Sequence, residues 1–93
     1  MFVDKDFTLN DAYDELAKAI QYNIAELYIR IPEITAQQTC VIVRKGYKSH
    51  GNVLKVGANT LHYIKCGFYE NGSLRLGSWT NGLKVKVTLL CHN

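Results

Sequence analysis

The spacing of apolar residues changes part-way along the chain, and this change constrains the fold more than any other feature. In residues 9–31 the apolar side chains recur at steps of three and four, the period of one face of a helix. Thr8 is suited to cap such a helix, and Pro32 is suited to end it because the residue before a proline avoids the helical region. The sequence therefore predicts an amphipathic helix over 8–31, with a buried stripe formed by Leu9, Tyr13, Leu16, Ile20, Ile24, Leu27 and Ile31.

From residue 38 onward the apolar period is two, which is typical of strands with one buried face. Strands are predicted near 39–45, 52–56, 61–69, 73–79 and 84–92. Asn71-Gly72 and Asn81-Gly82 favour tight hairpins, since the turn needs positive φ at its central positions. Gly67 and Gly77 fall inside strands, where glycine often marks a bulge or bend. The predicted fold is α+β: a single domain over 1–93, with the helix packed on a strongly coiled antiparallel meander (38–92) of about five strands, or on a half-open barrel.

Composition fits a small globular domain, with 47% hydrophobic and 20% charged residues. The N-terminus carries charges where a signal peptide would be apolar, and no apolar run approaches the length of a membrane span, so a cytoplasmic protein without membrane contact is expected. The three cysteines, Cys40, Cys66 and Cys91, are odd in number and lie in strand-like segments. They are therefore expected to be reduced core thiols rather than a disulfide framework.

The charge is distributed unevenly. Residues 1–36 contain three Lys or Arg and seven Asp or Glu, a net charge of −4, whereas residues 37–93 contain eight and one, a net charge of +7. The predicted helix is thus acidic and the predicted sheet is basic, which favours a polyanionic partner for the sheet.

Strand alternation assigns the side chains to two faces of the predicted sheet. Ile64, Cys66 and Phe68, with the apolar residues of the last two strands, form the core face. The opposite face combines aromatic rings, on which bases can stack, with cations that can contact phosphates. Such a face predicts binding of nucleic acid or a phosphorylated small ligand, although aromatic and lysine residues are also ordinary on exposed strands. Its residues are Tyr63, Lys65, Tyr69, Arg75, Trp79, Lys84 and Lys86.

The segment 45–51 is a basic loop bounded by glycines. Its glycine spacing is that of a P-loop, but Asn52 and Val53 follow where the motif requires Lys and Ser or Thr, and a strand follows rather than a helix. A Walker motif is therefore excluded. A looser anion site remains open, formed by Lys45, Lys48, Ser49 and His50, with a solvated hairpin loop as the alternative.

Neither a metal site nor a catalytic site is expected. No two cysteines have the spacing of zinc ligands, and the adjacent Cys91 and His92 point to opposite faces of a strand. Cys66 and His62 lie four residues apart on one strand, about 13 Å, which is too far for a thiolate–imidazole pair. The expectation is a binding protein that is not an enzyme and has no cofactor.

The alternative function is a protein–protein interaction module, such as an inhibitor or adaptor of the kind that phages and mobile elements encode. The final strand is largely apolar and lacks proline, with Leu89 and Leu90 consecutive. If that strand lies at a sheet edge, it favours a homodimer through strand addition. The sequence leaves the monomeric and dimeric forms of such a module open.

Overall fold

The computed structural model describes residues 1–34, 38–48, 53–55 and 61–93, and these residues form strands and turns without a helix. The fold is therefore all-β, and the α+β prediction is wrong. The strands are β1 (Phe2–Leu9), β2 (Asp14–Lys18), β3 (Ile24–Arg30), β4 (Gln38–Arg44), β5 (Val53–Lys55), β6 (Leu61–Phe68), β7 (Ser73–Ser78) and β8 (Leu83–His92).

The strands form two four-stranded antiparallel sheets, which pack around one core. Sheet 1 has the order β1-β8-β3-β4 and sheet 2 has the order β2-β7-β6-β5. The predicted single meander, and the half-open barrel with it, is wrong because the chain changes sheet after β4 and again after β7. The C-terminal strand β8 lies between β1 and β3, so both of its edges are paired and strand addition at β8 has no free edge to use.

The helix predicted over 8–31 is replaced by parts of three strands and two turns. Ala25, Leu27 and Ile29 are buried at alternate positions of β3, whereas Ile20, which a helical stripe would bury, is 64% exposed in the turn before β3. The steps of three and four arose because two short strands with period two are joined by a turn. β3 pairs along its whole length with both β4 and β8, so non-local pairing overrides the local pattern.

The core lies between the two sheets and follows the predicted alternation. Sheet 2 contributes Ile64, Cys66, Phe68, Leu74 and Leu76, all of which are buried as expected. Sheet 1 contributes residues from β3 together with Val85, Val87, Leu89 and Cys91 of β8. The prediction of core thiols is confirmed for Cys66 and Cys91 and wrong for Cys40, which is exposed on β4. Burial raises the pKa of the Cys66 thiol to about 12.

Both Asn-Gly segments lie in the turns that precede β7 and β8. Gly72 and Gly82 have φ values of +88° and +81°, which confirms a turn at each, but Asn71 and Asn81 lack the positive φ of the expected turn type. The hairpin predicted at Asn81-Gly82 is wrong, because that turn joins β7 of sheet 2 to β8 of sheet 1. The turn at Gly72 also packs against the chain before β3: a Cβ on Gly72 would lie 2.7 Å from the Cα of Ile20. The hairpin between β6 and β7 therefore needs glycine at position 72 for two reasons: the positive φ of the turn and the close contact with Ile20.

The acidic N-terminal third does not form a separate body. It provides β1, β2 and β3, which are distributed over both sheets among the basic strands. Asp6 of β1 pairs with Lys86 of β8 at 3.3 Å, and Asp11 pairs with Lys65 of β6 at 2.8 Å. The predicted separation into an acidic structural half and a basic binding half is wrong, because acidic side chains neutralise part of the basic surface. In the described part of the chain there is no helix that could cross a membrane.

Candidate ligand-binding face

The outer face of sheet 2, the side away from the core, carries most of the predicted aromatic and basic residues. Tyr63 and Lys65 project from β6, and Tyr69 follows directly after β6; Arg75 projects from β7, and Trp79 follows directly after β7. Their core-facing neighbours in the alternation are buried, which fixes these five side chains to the other side. The structure therefore brings together five of the seven residues predicted for the sheet face.

Tyr63 and Trp79 form an exposed aromatic pair at one end of this face. Their ring centroids are 4.7 Å apart and their planes are inclined by 26°, which is a stacked arrangement. Tyr63 is 42% exposed and Trp79 is 57% exposed, although both carry large apolar rings. Each ring covers one face of the other, and a large part of both rings remains accessible to a ligand.

Tyr13 adds an aromatic ring to this face that the sequence pattern assigned to the buried stripe of a helix. Its backbone has φ of 63°, a left-handed conformation in the turn before β2. A Cβ on Gly77 would lie 2.9 Å from the Tyr13 Cα, and a Cβ on Gly67 would overlap the Tyr13 hydroxyl. The two mid-strand glycines therefore make room for Tyr13. They do not mark a bulge, because the β6–β7 register is continuous across both.

The Tyr13 hydroxyl is buried and has no hydrogen-bond partner among the described residues. Burial, reinforced by the neighbouring Tyr69 and Cys66, raises the pKa of Tyr13 well above its ordinary value. Tyr13 meets Tyr69 edge-on, with centroids 6.4 Å apart. A second aromatic cluster thus lies at the end of the face opposite the Tyr63–Trp79 pair.

The cations on this face differ in how far they are neutralised. The ammonium of Lys65 pairs with Asp11, and its side chain is only 17% exposed. Lys48 lies over the Tyr69 ring at 5.2 Å, and Arg75 lies over the same ring at 5.8 Å. Neither Lys48 nor Arg75 forms an ion pair with a residue that the structure describes. They remain available to an anionic ligand, as does Lys18 of β2, which is exposed and lies opposite Ser73 on the same face.

The described residues of the predicted loop site do not lie together. Lys48 forms an isolated bridge with Gly67 and so joins the outer face of sheet 2. The Lys45 ammonium instead donates to the carbonyl of Ile20 at 2.7 Å and lies 5.7 Å from the Phe68 ring. Ser49 and His50 lie outside the described residues. Of this predicted site, Lys48 is the residue that joins the aromatic face.

Lys84 and Lys86 lie on β8 in the other sheet, so their placement on one surface with the aromatic residues is wrong. The alternation of β8 was interpreted correctly, but the sequence could not show that β8 returns to sheet 1. Both lysines line a groove of about 370 Å³ together with Phe7, Pro32 and other residues of β1 and β8. Lys86 is paired there with Asp6, which reduces the positive charge of the groove.

A polar cluster on the outer face of sheet 1 was not predicted. Glu26 accepts a hydrogen bond from the Tyr28 hydroxyl at 2.9 Å and contacts Nε2 of His92 at 2.8 Å. These two contacts lower the pKa of Glu26, and the bond to Glu26 raises the pKa of Tyr28 to about 12. Because β3 and β8 pair only in the folded sheet, no local signal could have found this cluster. A search of the described residues finds no group of side chains suited to hold a metal ion.

Comparisons with known proteins do not assign a family. No family model matches the chain, and neither a curated protein nor a solved structure is significantly similar to it. The function is therefore argued from the two faces described above.

Proposed function

We propose that this protein is a non-enzymatic module that binds single-stranded nucleic acid on the outer face of sheet 2. The stacked, exposed Tyr63–Trp79 pair is the observation on which the proposal rests. Folded domains rarely leave two large aromatic rings exposed beside each other, and such rings offer bases a stacking surface without sequence preference. The second aromatic cluster and its two cations extend the same surface along β6 and β7.

Stacking contributes most of the expected affinity, and charge contributes less than the sequence suggested. Each base stacked on an aromatic ring is worth about 1–3 kcal/mol. Lys65 is paired with Asp11, and Lys84 and Lys86 belong to the other sheet. The electrostatic contribution therefore comes from Lys18, Lys48 and Arg75. For single strands, the slope of log affinity against log salt concentration is about −0.7 for each neutralised phosphate, so three cations give a slope of about −2.1.

The protein has one tryptophan, so its fluorescence reports on the proposed site without labelling. Titration with short oligothymidylate or oligouridylate should quench Trp79 fluorescence, and the affinity should show the shallow salt slope given above. Tyr63→Ala should weaken binding by about 5- to 100-fold, which corresponds to one lost stacking contact. Phe2→Ala, which removes an aromatic ring that is 63% exposed in sheet 1, is the matched control and should bind normally.

Two results would contradict the proposal. One is the absence of any fluorescence change with single strands at low salt. The other is binding that Tyr63→Ala and Phe2→Ala weaken equally, since that would place the ligand elsewhere. A salt slope near −4, as expected if all six cations predicted for the face and the loop neutralised phosphates, would contradict the assignment of only three free cations.

A second candidate function, protein–protein interaction, is favoured by three exposed apolar side chains on the outer face of sheet 1. Phe2, Leu90 and Ile42 lie on one line across this sheet and are 63%, 36% and 63% exposed, with Glu26 of β3 between Leu90 and Ile42. A two-fold axis parallel to the strands would set Phe2 of one copy against Ile42 of the other. Phe2 lies on β1 and Ile42 on β4, the two outer strands of sheet 1, so each of these apolar side chains would meet its counterpart on a second copy of the chain.

Sedimentation equilibrium tests this second candidate. We expect the wild-type protein to form a homodimer and Leu90→Lys to be a monomer. Arg75→Gln, on the other sheet, is the control and should remain a dimer. A monomer at all accessible concentrations would exclude self-association through this face.

A further inference from the structure

A cleft of about 320 Å³ opens on the outer face of sheet 2, at the end opposite the Tyr63–Trp79 pair. It lies where the turn between β6 and β7 closes that end of the sheet. Two tyrosines form its walls, and polar side chains provide most of the remaining lining. The lining residues are Ala12, Tyr13, Tyr69, Asn71, Ser73 and Arg75.

The guanidinium of Arg75 is held in a fixed position in this cleft. Its Nε donates to the Ser73 hydroxyl oxygen at 3.2 Å, and its Nη1 donates to the carbonyl of Tyr13 at 3.4 Å. The Ser73 hydroxyl in turn donates to Glu15 at 2.6 Å, which orients its oxygen to accept from Arg75. An arginine has five N–H donors, so about three of them remain for a ligand.

Arg75 also makes no direct ion pair with a carboxylate in the described structure. Glu15, its register neighbour on β2, is connected to it only through the Ser73 hydroxyl. A half-buried guanidinium with free donors and no carboxylate partner is suited to bind an oxyanion in a bidentate way. The amide nitrogen of Asn71 adds a further donor, because its Oδ1 is already occupied by the backbone N–H of Ser73 at 3.0 Å.

We propose that this cleft binds the terminal phosphate of a nucleic-acid strand, with Arg75 and Asn71 as the recognition residues. The inference rests on the proposed function, since the same strand stacks its bases at the aromatic pair. The closed end of the sheet favours a chain end over a phosphodiester that continues past the cleft. A terminal phosphate also carries more charge than a phosphodiester, which strengthens its hydrogen bonds to the guanidinium.

The distance between the two parts of the face sets the length of the ligand. Arg75 and Trp79 are four residues apart along β7 and the residues that follow it, which corresponds to about 13 Å. A stacked strand rises by about 3.4 Å along its axis for each nucleotide, so a stacked ligand of about four nucleotides reaches from the cleft to the aromatic pair.

The test compares oligothymidylates of four nucleotides that differ only in a phosphate at the 5′ end, at the 3′ end or at neither. One phosphorylated form should bind about tenfold more tightly than the unphosphorylated form, the gain expected for charged hydrogen bonds. Arg75→Lys keeps the positive charge but removes the planar guanidinium that can bind an oxyanion through two hydrogen bonds, so it should abolish this preference. An unchanged thermal unfolding transition would show that the variant is folded. Lys84→Ala, on the other sheet, should retain the preference.

Inorganic phosphate separates failure of this inference from failure of the proposed function. NMR shifts of the Arg75 Nε–H and the Asn71 side-chain amide on addition of phosphate alone would support the cleft whether or not oligonucleotides bind. Equal affinity for all three oligonucleotides would overturn the terminal-phosphate site and leave the stacking proposal standing. No response to phosphate and no oligonucleotide binding would overturn both.

Discussion

Tyr13 and Gly67 provide the sharpest test of how the candidate face is built. Replacing Tyr13 with Phe removes the buried hydroxyl that lacks a hydrogen-bond partner and keeps the ring. A buried unpaired hydroxyl costs about 1–3 kcal/mol, so Tyr13→Phe should stabilise the protein by about 1 kcal/mol after some structural relaxation. For a domain of this size, that gain raises the melting temperature by about 4–8 °C.

Gly67→Ala should destabilise the wild-type protein by about 1–3 kcal/mol, because the new methyl group overlaps the Tyr13 hydroxyl. In the Tyr13→Phe background that overlap is gone. The nearest remaining atoms are Cζ of residue 13 at 3.3 Å and Cε2 of Tyr69 at 3.4 Å, which require only small shifts. A Gly-to-Ala change that fits its backbone stabilises by about 0.4–1 kcal/mol through the unfolded state, so the double variant should approach the stability of Tyr13→Phe alone.

The assay is a double-mutant cycle measured by urea unfolding, with Gly77→Ala as the matched control. A Cβ on Gly77 would meet Cα and Cδ2 of Tyr13 and the carbonyl of Asn10, none of which the Phe substitution removes. We expect a coupling energy of at least about 1 kcal/mol between Gly67→Ala and Tyr13→Phe. Between Gly77→Ala and Tyr13→Phe we expect a coupling energy below about 0.5 kcal/mol. Additive effects at Gly67, or a clear loss of stability in Tyr13→Phe, would refute the assigned packing.

Three further outcomes follow from the structure. Lys86→Ala should leave oligonucleotide affinity unchanged in fluorescence titrations, because Lys86 lies on sheet 1 and is paired with Asp6; a loss comparable to that of a sheet 2 variant would contradict the assigned face. The pKa of Glu26 is lowered from its ordinary value of 4.5, so its stabilising contribution is present above pH 4.5 and is lost as the pH falls through the lowered value. In Glu26→Gln the free energy of unfolding, measured with urea, should therefore fall less steeply as the pH is lowered below 4.5. An unchanged pH dependence would contradict the cluster. Cys40 should react with a disulfide reagent in the native protein while Cys66 reacts only on unfolding, since Cys66 is 2% exposed and its pKa is raised to about 12.

The second half of the chain could be predicted from its sequence because its signals are local. Period-two alternation and the Asn-Gly turns gave strands whose bounds lie within a few residues of β4, β6, β7 and β8. The same alternation assigned Tyr63, Lys65 and Arg75 correctly to the side opposite the core. These features depend on neighbouring residues alone, so they do not change with the way the rest of the chain folds.

The first half could not be predicted because its structure depends on distant partners. Among the described strands β1 pairs with β8 alone, and β3 pairs with β8 along its whole length, more than fifty residues later in the chain. A strand–turn–strand segment with one buried face on each strand resembles a helical stripe when the two strands are short. The same dependence on topology separated Lys86 from the aromatic residues and hid the space that Gly67 leaves for Tyr13.

Backbone and tryptophan side-chain NMR shifts during titration with a four-nucleotide single strand test the central claim most directly. Shifts should be confined to the outer face of sheet 2, and the indole N–H of Trp79 and the amides around Tyr63 and Tyr69 should shift most. The amide shifts of Lys84 and Lys86 in β8 should not change. Shifts centred on β8 and β1, with the Trp79 indole unchanged, would contradict the account.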